Sequence, residues 1–144
     1  TAVDGEHAIE LQGHTELCAI QREGRTEPIA NDVRVREAGF ELHGAPDGLS
    51  GVELALRVKP DVLLLDLQLP DISGQEVMQR LRGQPEVAHS SWVALSANAM
   101  AEHIRQTLDL GFDAYWTKPI DFAQFLAGID ALIARYRQGS VATA

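Results

Sequence analysis

The sequence predicts an α/β domain built on a doubly wound, five-stranded parallel sheet with helices on both faces. Three observations predict this class. Short apolar runs alternate with helical patterns along the chain, as in βαβ units. Residues 62–65 are aliphatic at every position, which is typical of a strand buried on both faces. A chain of 144 residues, 45% of them hydrophobic, has room for one such domain with a sizeable core.

The five predicted strands are short apolar runs. Residues 62–65 form the longest aliphatic run, and residues 40–43 alternate as in a short strand. Residues 92–95 and 114–116 are two further runs that follow helical patterns. Residues 17–20 supply the first strand, in a region where the pattern is weak.

Capping-box spacing predicts where two helices begin. Ser50 and Glu53 have this spacing, so one helix is expected to begin near Ser50. Ser73 and Glu76 repeat it, and the second helix is expected to run to about Gly83. Each helix precedes or follows a predicted strand, as βαβ units require.

Apolar periodicity predicts two more helices. Residues 98–110 are expected to form a helix that ends at Gly111, and residues 122–136 repeat apolar side chains at steps of three and four. The apolar stripe expected on the first of these helices consists of Met100, Ala101, Ile104 and Leu108.

Domain organisation follows from where these patterns begin and end. Residues 1–16 are polar without a sustained period and are expected to be a tail or linker. Residues 17–138 are expected to form the domain, and residues 139–144 a C-terminal tail. Between residues 21 and 38 the sequence indicates only an irregular helix that ends at Gly39.

Composition excludes several classes of function. Acidic residues outnumber basic ones 21 to 12, and the formal net charge of -9 argues against direct binding to nucleic acid or to an anionic membrane surface. No apolar run approaches the roughly 20 residues that span a bilayer, and the N-terminus has no signal-peptide pattern. A cytoplasmic location is therefore expected.

Cysteine and histidine residues predict no metal centre of their own. The single cysteine, Cys18, excludes an internal disulfide or a multi-cysteine zinc site, and it is expected to be a small buried hydrophobe. The histidines have no metal-ligand spacing and are interpreted as surface or edge residues. They are His7, His14, His43, His89 and His103.

Polar residues follow three predicted strands, and they are candidates for a functional site. Asp66, Ser96 and the pair Thr117 and Lys118 stand where these strands end. Ligands of open α/β sheets bind outside the carboxyl ends of the strands, so a carboxylate, a hydroxyl and an ammonium are expected at one edge. A carboxylate beside an ammonium remains available as a nucleophile, and aspartyl phosphate is one established product of such a group. The pattern indicates a phosphoryl site.

The segments PDVLLLDLQLPDISG, VALSANAM and GFDAYWTKPI resemble the receiver domains of two-component response regulators, of the stand-alone or hybrid-histidine-kinase type. Their order and spacing agree with that family over residues 39–137. The resemblance implies the flavodoxin-like receiver fold. It also implies a signalling domain in a phosphorelay, which is no enzyme beyond its own phosphotransfer and dephosphorylation.

Roles for individual residues are also implied by the resemblance. Asp66 matches the phosphoacceptor, which takes its phosphoryl group from a sensor histidine kinase or a histidine phosphotransfer protein. Ser96 and Lys118 match the hydroxyl and the lysine that contact the phosphate, and Tyr115 matches the switch aromatic. Asp66 and the backbone carbonyl of Gln68 match ligands of Mg²⁺.

Other positions of the resemblance concern loops and the output surface. Pro70 and Gly74 match the turn after the acceptor, and Pro119 matches a proline that follows the lysine through a cis peptide bond. Residues 98–137 match the surface through which receivers bind a downstream protein.

The sequence departs from the family where Mg²⁺ is bound. The family has an acidic pair after its first strand, but here that pair falls on Gln21 and Arg22 or on Arg22 and Glu23. At most Glu23 supplies an acid and a metal ligand, although Glu27 and Asp32 follow nearby. An arginine there places a fixed cation near the site, which either substitutes for part of the metal charge or abolishes phosphotransfer.

Two hypotheses follow. The first is a phosphorylatable switch, which intact Asp66, Ser96 and Lys118 favour. The second is a pseudo-receiver, an interaction module that keeps the fold without metal-dependent phosphorylation, which Arg22 favours. A phosphatase-type hydrolase is disfavoured because Gln68 stands where such enzymes have a second aspartate.

Overall fold

The computed structural model describes residues 15–21 and 33–143, with the side chains of the last helix described as far as residue 134. Its strands are β1 (Thr15–Ile20), β2 (Phe40–Ala45), β3 (Val62–Asp66), β4 (Ser91–Ser96) and β5 (Ala114–Thr117). Its helices are α1 (Val33–Glu37), α2 (Gly48–Val58), α3 (Gly74–Leu81), α4 (Ala101–Asp109) and α5 (Phe122–Thr143), with a 3₁₀ turn at Pro85–Val87.

The five strands form one parallel sheet in the order β2-β1-β3-β4-β5. From β1 the chain moves outward to β2, then returns to β3 and continues outward on the other side. The strand order therefore reverses between β1 and β3, and this reversal opens a crevice at the carboxyl ends of the strands. The predicted doubly wound, five-stranded parallel sheet is confirmed.

Alternate residues of the central strands pack into two separate cores, one on each face of the sheet. Leu63 and Leu65 contact the core that contains Leu54 and Val77, from α2 and α3. Val62 and Leu64 point into the other core, which contains Val35 of α1 and the α5 residues Phe125, Ile129 and Leu132. The uninterrupted aliphatic run is explained, because β3 is buried on both faces.

The two predicted capping boxes have different outcomes. Ser73 caps α3 as predicted, since its hydroxyl accepts the Glu76 amide at 3.1 Å. The prediction for α2 is wrong: this helix begins at Gly48, and Asp47 caps it by accepting the Ser50 amide at 2.8 Å. Aspartate is as good an N-cap as serine, and Asp47 stands three residues before Ser50. The helix therefore begins after Asp47.

The predicted apolar stripe of α4 is also wrong. The helix begins at Ala101 rather than at residue 98, and Met100 and Leu108 are 70% and 37% exposed. The buried residue of this helix is Thr107, with Ile104 half-buried. Because α4 packs against the edge strand β5, it covers less of the core than a helix over the middle of the sheet does.

Several element ends differ from prediction by a few residues. Strand β1 begins at Thr15 rather than residue 17, and α3 ends at Leu81 rather than near residue 83. Helix α5 extends to Thr143, past the predicted end of the domain at residue 138. No helix in the described ranges has the length and apolar character needed to cross a membrane.

Candidate functional site

Strands β3, β4 and β5 bring the three predicted site residues to one edge of the sheet. Asp66 pairs in register with Leu95, and Ser96 pairs with Thr117. The backbone amide of Lys118 donates to the carbonyl of Ser96 at 2.8 Å, which holds the start of the β5–α5 loop beside β4. The parallel ladder thus places a carboxylate, a hydroxyl and an ammonium on neighbouring strand ends.

Asp66 is the buried centre of this edge, with 3% of its surface exposed. Lys118 Nζ lies 2.9 Å from Asp66 Oδ2, and the backbone amide of Gln68 donates to Asp66 Oδ1 at 2.9 Å. The ammonium compensates the charge that burial would otherwise make costly. Each carboxylate oxygen can accept a further interaction, so the group is suited to nucleophilic attack as well as to ion pairing.

The β4–α4 loop is held by Ser96 and Tyr115. The Ser96 hydroxyl accepts the backbone amide of Asn98 at 3.1 Å, and the Tyr115 hydroxyl donates to the Asn98 carbonyl at 2.6 Å. The Tyr115 ring also meets His103 of α4 edge to face, with centroids 5.8 Å apart. A movement of Ser96 would therefore change the loop that Tyr115 contacts.

Gly74 allows the β3–α3 loop to close against the end of β3. A Cβ at this position would lie 2.6 Å from the carbonyl oxygen of Asp66 and 2.8 Å from Leu67 Cα. The Gly74 amide donates to the Leu67 carbonyl at 3.1 Å. At the other end of the edge, the bond between Lys118 and Pro119 is cis, as the resemblance implies.

Sequence reasoning missed Asp71, which lies in the loop after Asp66. Its carboxylate accepts the backbone amides of Gly48 at 2.7 Å, Leu49 at 2.9 Å and Ile72 at 2.8 Å. Desolvation acts to raise the pKa of Asp71, but these amide hydrogen bonds outweigh it and hold the pKa below its usual value. Only an aspartate in a loop marks this residue in the sequence, since two of its three partners, Gly48 and Leu49, lie more than twenty positions away.

The described residues do not fit a magnesium site. Ile20 pairs in register with Leu65, so the next residue, Gln21, lies at the same edge as Asp66. The described part of the chain has no group of three histidine, cysteine, aspartate or glutamate residues placed to hold a metal ion. Among the described residues of this edge Asp66 is the carboxylate, and Lys118 already neutralises it, so none of them offers an uncompensated carboxylate to Mg²⁺, which is usually bound through one or two.

Four of the predicted or weighed positions near this site lie outside the described residues. They are Arg22, Glu23, Glu27 and Asp32. Asp66 and Gln68, the other predicted metal ligands, both lie at the edge described above.

The profile of the response regulator receiver domain matches residues 29–130. The chain belongs to this family. Receiver domains are generally signalling domains rather than enzymes, they interact with histidine kinases and downstream effectors, and they typically bind Mg²⁺.

Curated relatives of this receiver domain include a regulator that is much longer than the matched region and one that the match covers for the most part. The chain is 37% identical over 103 residues to the DNA-binding dual master transcriptional regulator RpaA of Synechocystis, covering 72% of this chain but 43% of that protein. It is 35% identical over 102 residues to the polar-differentiation response regulator DivK of Brucella anthropi, covering 69% of this chain and 80% of that protein. The chain therefore spans less than half the length of the first of these relatives.

Solved structures share the fold of this receiver domain. The chemotaxis response regulator CheY4 of Vibrio cholerae matches with a TM-score of 0.75 at 18% identity, over 83% of this chain and 98% of that one. The receiver domain of a sensor histidine kinase of Pseudomonas aeruginosa, described with a magnesium ion in its active-site cleft, matches with a TM-score of 0.70 at 24% identity, over 84% and 98%.

Proposed function

We propose that this receiver domain accepts a phosphoryl group on Asp66 and that the phosphorylated form switches a protein-interaction surface. The donor is a phosphohistidine of a sensor histidine kinase or of a histidine phosphotransfer protein. The observation that carries the proposal is the buried Asp66 carboxylate, held between the Lys118 ammonium and the Gln68 amide.

In the proposed transfer, an Asp66 carboxylate oxygen attacks phosphorus while the bond from phosphorus to the donor histidine nitrogen breaks. The Lys118 ammonium, 2.9 Å from Asp66 Oδ2, would meet the charge of the phosphoryl oxygens, and the Ser96 hydroxyl, at the end of the neighbouring strand, would hydrogen-bond them. The domain supplies positioning and charge, so it catalyses only its own phosphotransfer and dephosphorylation.

The proposed output surface lies around α4, β5 and the start of α5, within residues 98–137. Tyr115 connects it to the site, because its hydroxyl contacts the same loop that Ser96 holds. Met100, Leu108 and Leu110 are 70%, 37% and 40% exposed there, which suits contact with a downstream protein. With a net charge of -9, the domain itself is not expected to bind nucleic acid.

Titration with beryllofluoride, a mimic of the aspartyl phosphate, tests this proposal through tryptophan fluorescence. Trp116 is a suitable reporter, because it lies two residues before Lys118 and its ring meets Phe125 edge to face at 6.1 Å. The substitution Trp92→Phe leaves it as the single tryptophan, since the chain has two. We expect a saturable change in the wild-type site and none with Asp66→Asn, which keeps the size of the side chain.

A second function, the pseudo-receiver, is favoured by Gln21 at the β1 side of the edge. In that case the fold serves as an interaction module without metal-dependent phosphorylation. The absence of any Asp66-dependent change, with and without millimolar Mg²⁺, would support this alternative and overturn the phosphoacceptor.

A further inference from the structure

The Asp71 carboxylate joins the loop after the acceptor to the first turn of α2. Oδ1 accepts the Gly48 amide and Oδ2 accepts the Leu49 amide, so both oxygens contact a helix that lies more than twenty positions earlier in the chain. The same carboxylate accepts the amide of Ile72, its own neighbour. One exposed side chain therefore fixes the loop to a separate element.

Close packing accompanies these hydrogen bonds. A Cβ at Gly48 would overlap the side chain of Ile72, so the glycine allows the loop to lie directly on the first turn of α2. Ile72 in turn packs against the core between α2 and α3. The loop and the helix terminus are thus in contact through both polar and apolar groups.

The loop that Asp71 fixes also carries the amide that holds the acceptor. Gln68 donates to Asp66 Oδ1 at 2.9 Å. At the two ends of the loop, the Leu67 amide donates to the Leu95 carbonyl and the Gly74 amide donates to the Leu67 carbonyl. Between these ends, the Asp71 carboxylate connects the loop to α2 by hydrogen bonds.

We propose that Asp71 is a positioning residue for the phosphoacceptor: by binding the first turn of α2, it keeps the loop in the conformation that holds the Gln68 amide on Asp66. The effect on phosphorylation rests on the proposed function. The effect on the Gln68 amide does not, because it concerns the unphosphorylated domain.

Asp47 provides a matched control. It contacts the same turn of α2, but it belongs to the β2–α2 connection, and its carboxylate accepts hydrogen bonds from the amide and the hydroxyl of Ser50, within its own helix. Asp47→Ala and Asp71→Ala each remove one carboxylate from one helix terminus. If Asp71 only capped the helix, the two variants would show the same Gln68 exchange and the same half-saturation concentration of beryllofluoride.

The test compares hydrogen exchange of the Gln68 amide and the half-saturation concentration of beryllofluoride in the wild type, Asp47→Ala, Asp71→Ala and Asp71→Asn. We expect Asp71→Ala to speed Gln68 exchange and to raise the half-saturation concentration, each roughly tenfold. Asp71→Asn keeps one acceptor oxygen, so its Gln68 exchange rate and its half-saturation concentration should lie between those of the wild type and Asp71→Ala. Asp47→Ala should change neither beyond its effect on global stability.

Equal Gln68 exchange in Asp47→Ala and Asp71→Ala, after correction for global stability, would overturn the positioning role. If Asp71→Ala fails to fold, the same comparison between Asp71→Asn and Asp47→Asn decides. A wild type that does not respond to beryllofluoride would overturn the phosphoacceptor instead, while Gln68 exchange would still decide the role of Asp71.

Discussion

The carboxyl edge of the sheet has two unequal halves. On the side of β3, β4 and β5, buried Asp66 lies 2.9 Å from the Lys118 ammonium, and Ser96 ends the neighbouring strand. On the β1 side, the described residue that follows the strand is Gln21, whose side chain is an uncharged amide. Under the proposed function, the strands that would hold the phosphoryl group are therefore not the strand beside which a cation would bind.

The two halves of the edge differ in the polar residues at the strand ends, and not in how deeply the strands are buried. Leu17, Cys18 and Ile20 of β1 are fully buried, as are the leucines of β3. Both strands pack on both faces of the sheet. Four predictions test this comparison, in order of decreasing effect.

The largest expected effect is alkaline destabilisation through Cys18, which tests the burial of β1. Burial raises the pKa of the Cys18 thiol to about 12 from 9.0, with Glu16 acting in the same direction and Arg57 opposing. Between these values the unfolded thiol loses its proton first, so the free energy of unfolding should fall by about 1.4 kcal/mol for each pH unit above 9, up to roughly 4 kcal/mol near pH 12. Below pH 9 this contribution is fully present.

Urea unfolding at pH 8, 9 and 10 measures the alkaline effect. Cys18→Ala is the control, and its stability should fall less steeply over this range, whatever the substitution costs at pH 8. Parallel slopes for the two proteins would contradict the burial of this strand.

The second prediction concerns the loop that closes on the acceptor. Gly74→Ala should destabilise the domain by about 2 to 3 kcal/mol, because the new Cβ would meet the backbone of Asp66 and Leu67. Gly83→Ala is the control. Gly83 has a φ of 87°, but the Cβ that this substitution adds would have no other atom within 4 Å. It should cost about 1 kcal/mol, from backbone strain alone. Similar costs in denaturant unfolding would show that the loop relaxes away from the acceptor strand.

The third prediction measures the ion pair between Asp66 and Lys118. A double-mutant cycle of Asp66→Asn and Lys118→Met should give a coupling energy of about 1 to 2 kcal/mol in unfolding. The value is reduced from that of a fully buried pair, because the Lys118 side chain is 36% exposed. A coupling energy near zero would mean that solvent, rather than Lys118, compensates Asp66.

The smallest effect is expected on the other half of the edge. Gln21→Asp should bind Mg²⁺ at least tenfold more tightly than the wild type, about 1.4 kcal/mol, because a second carboxylate would then lie beside Asp66. Isothermal titration without any phosphodonor measures this, with Gln21→Asn as the uncharged control. A wild type that already saturates below 1 mM Mg²⁺ would show that residues other than Gln21 complete the site.

Much of the half of the edge formed by β3, β4 and β5 was predictable from the sequence, because its residues stand at the ends of strands. An aliphatic run that stops at Asp66 indicates both the strand and the edge, and the runs before Ser96 and Lys118 do the same. Parallel pairing then brings the three ends together without further information.

Contacts between distant segments were not predictable in the same way. Nothing in the residues around Asp71 indicates that its carboxylate accepts amides of Gly48 and Leu49. The stripe predicted for α4 failed for a related reason, since periodicity indicates which residues share a helix face but not how much of that face the sheet covers. Leu108 lies on such a face and Met100 directly precedes the helix, and both are exposed.

The sequence by itself determined the class of the fold, the strand ends that carry Asp66, Ser96 and Lys118, and the lack of an acid at Gln21, because each depends on local periodicity or on residue identity. The tertiary structure alone decided that Lys118 reaches Asp66, that Tyr115 contacts the loop held by Ser96, and that Asp71 binds α2. Such contacts join residues far apart in the chain, and their distances exist only once the strands have paired and the helices have packed.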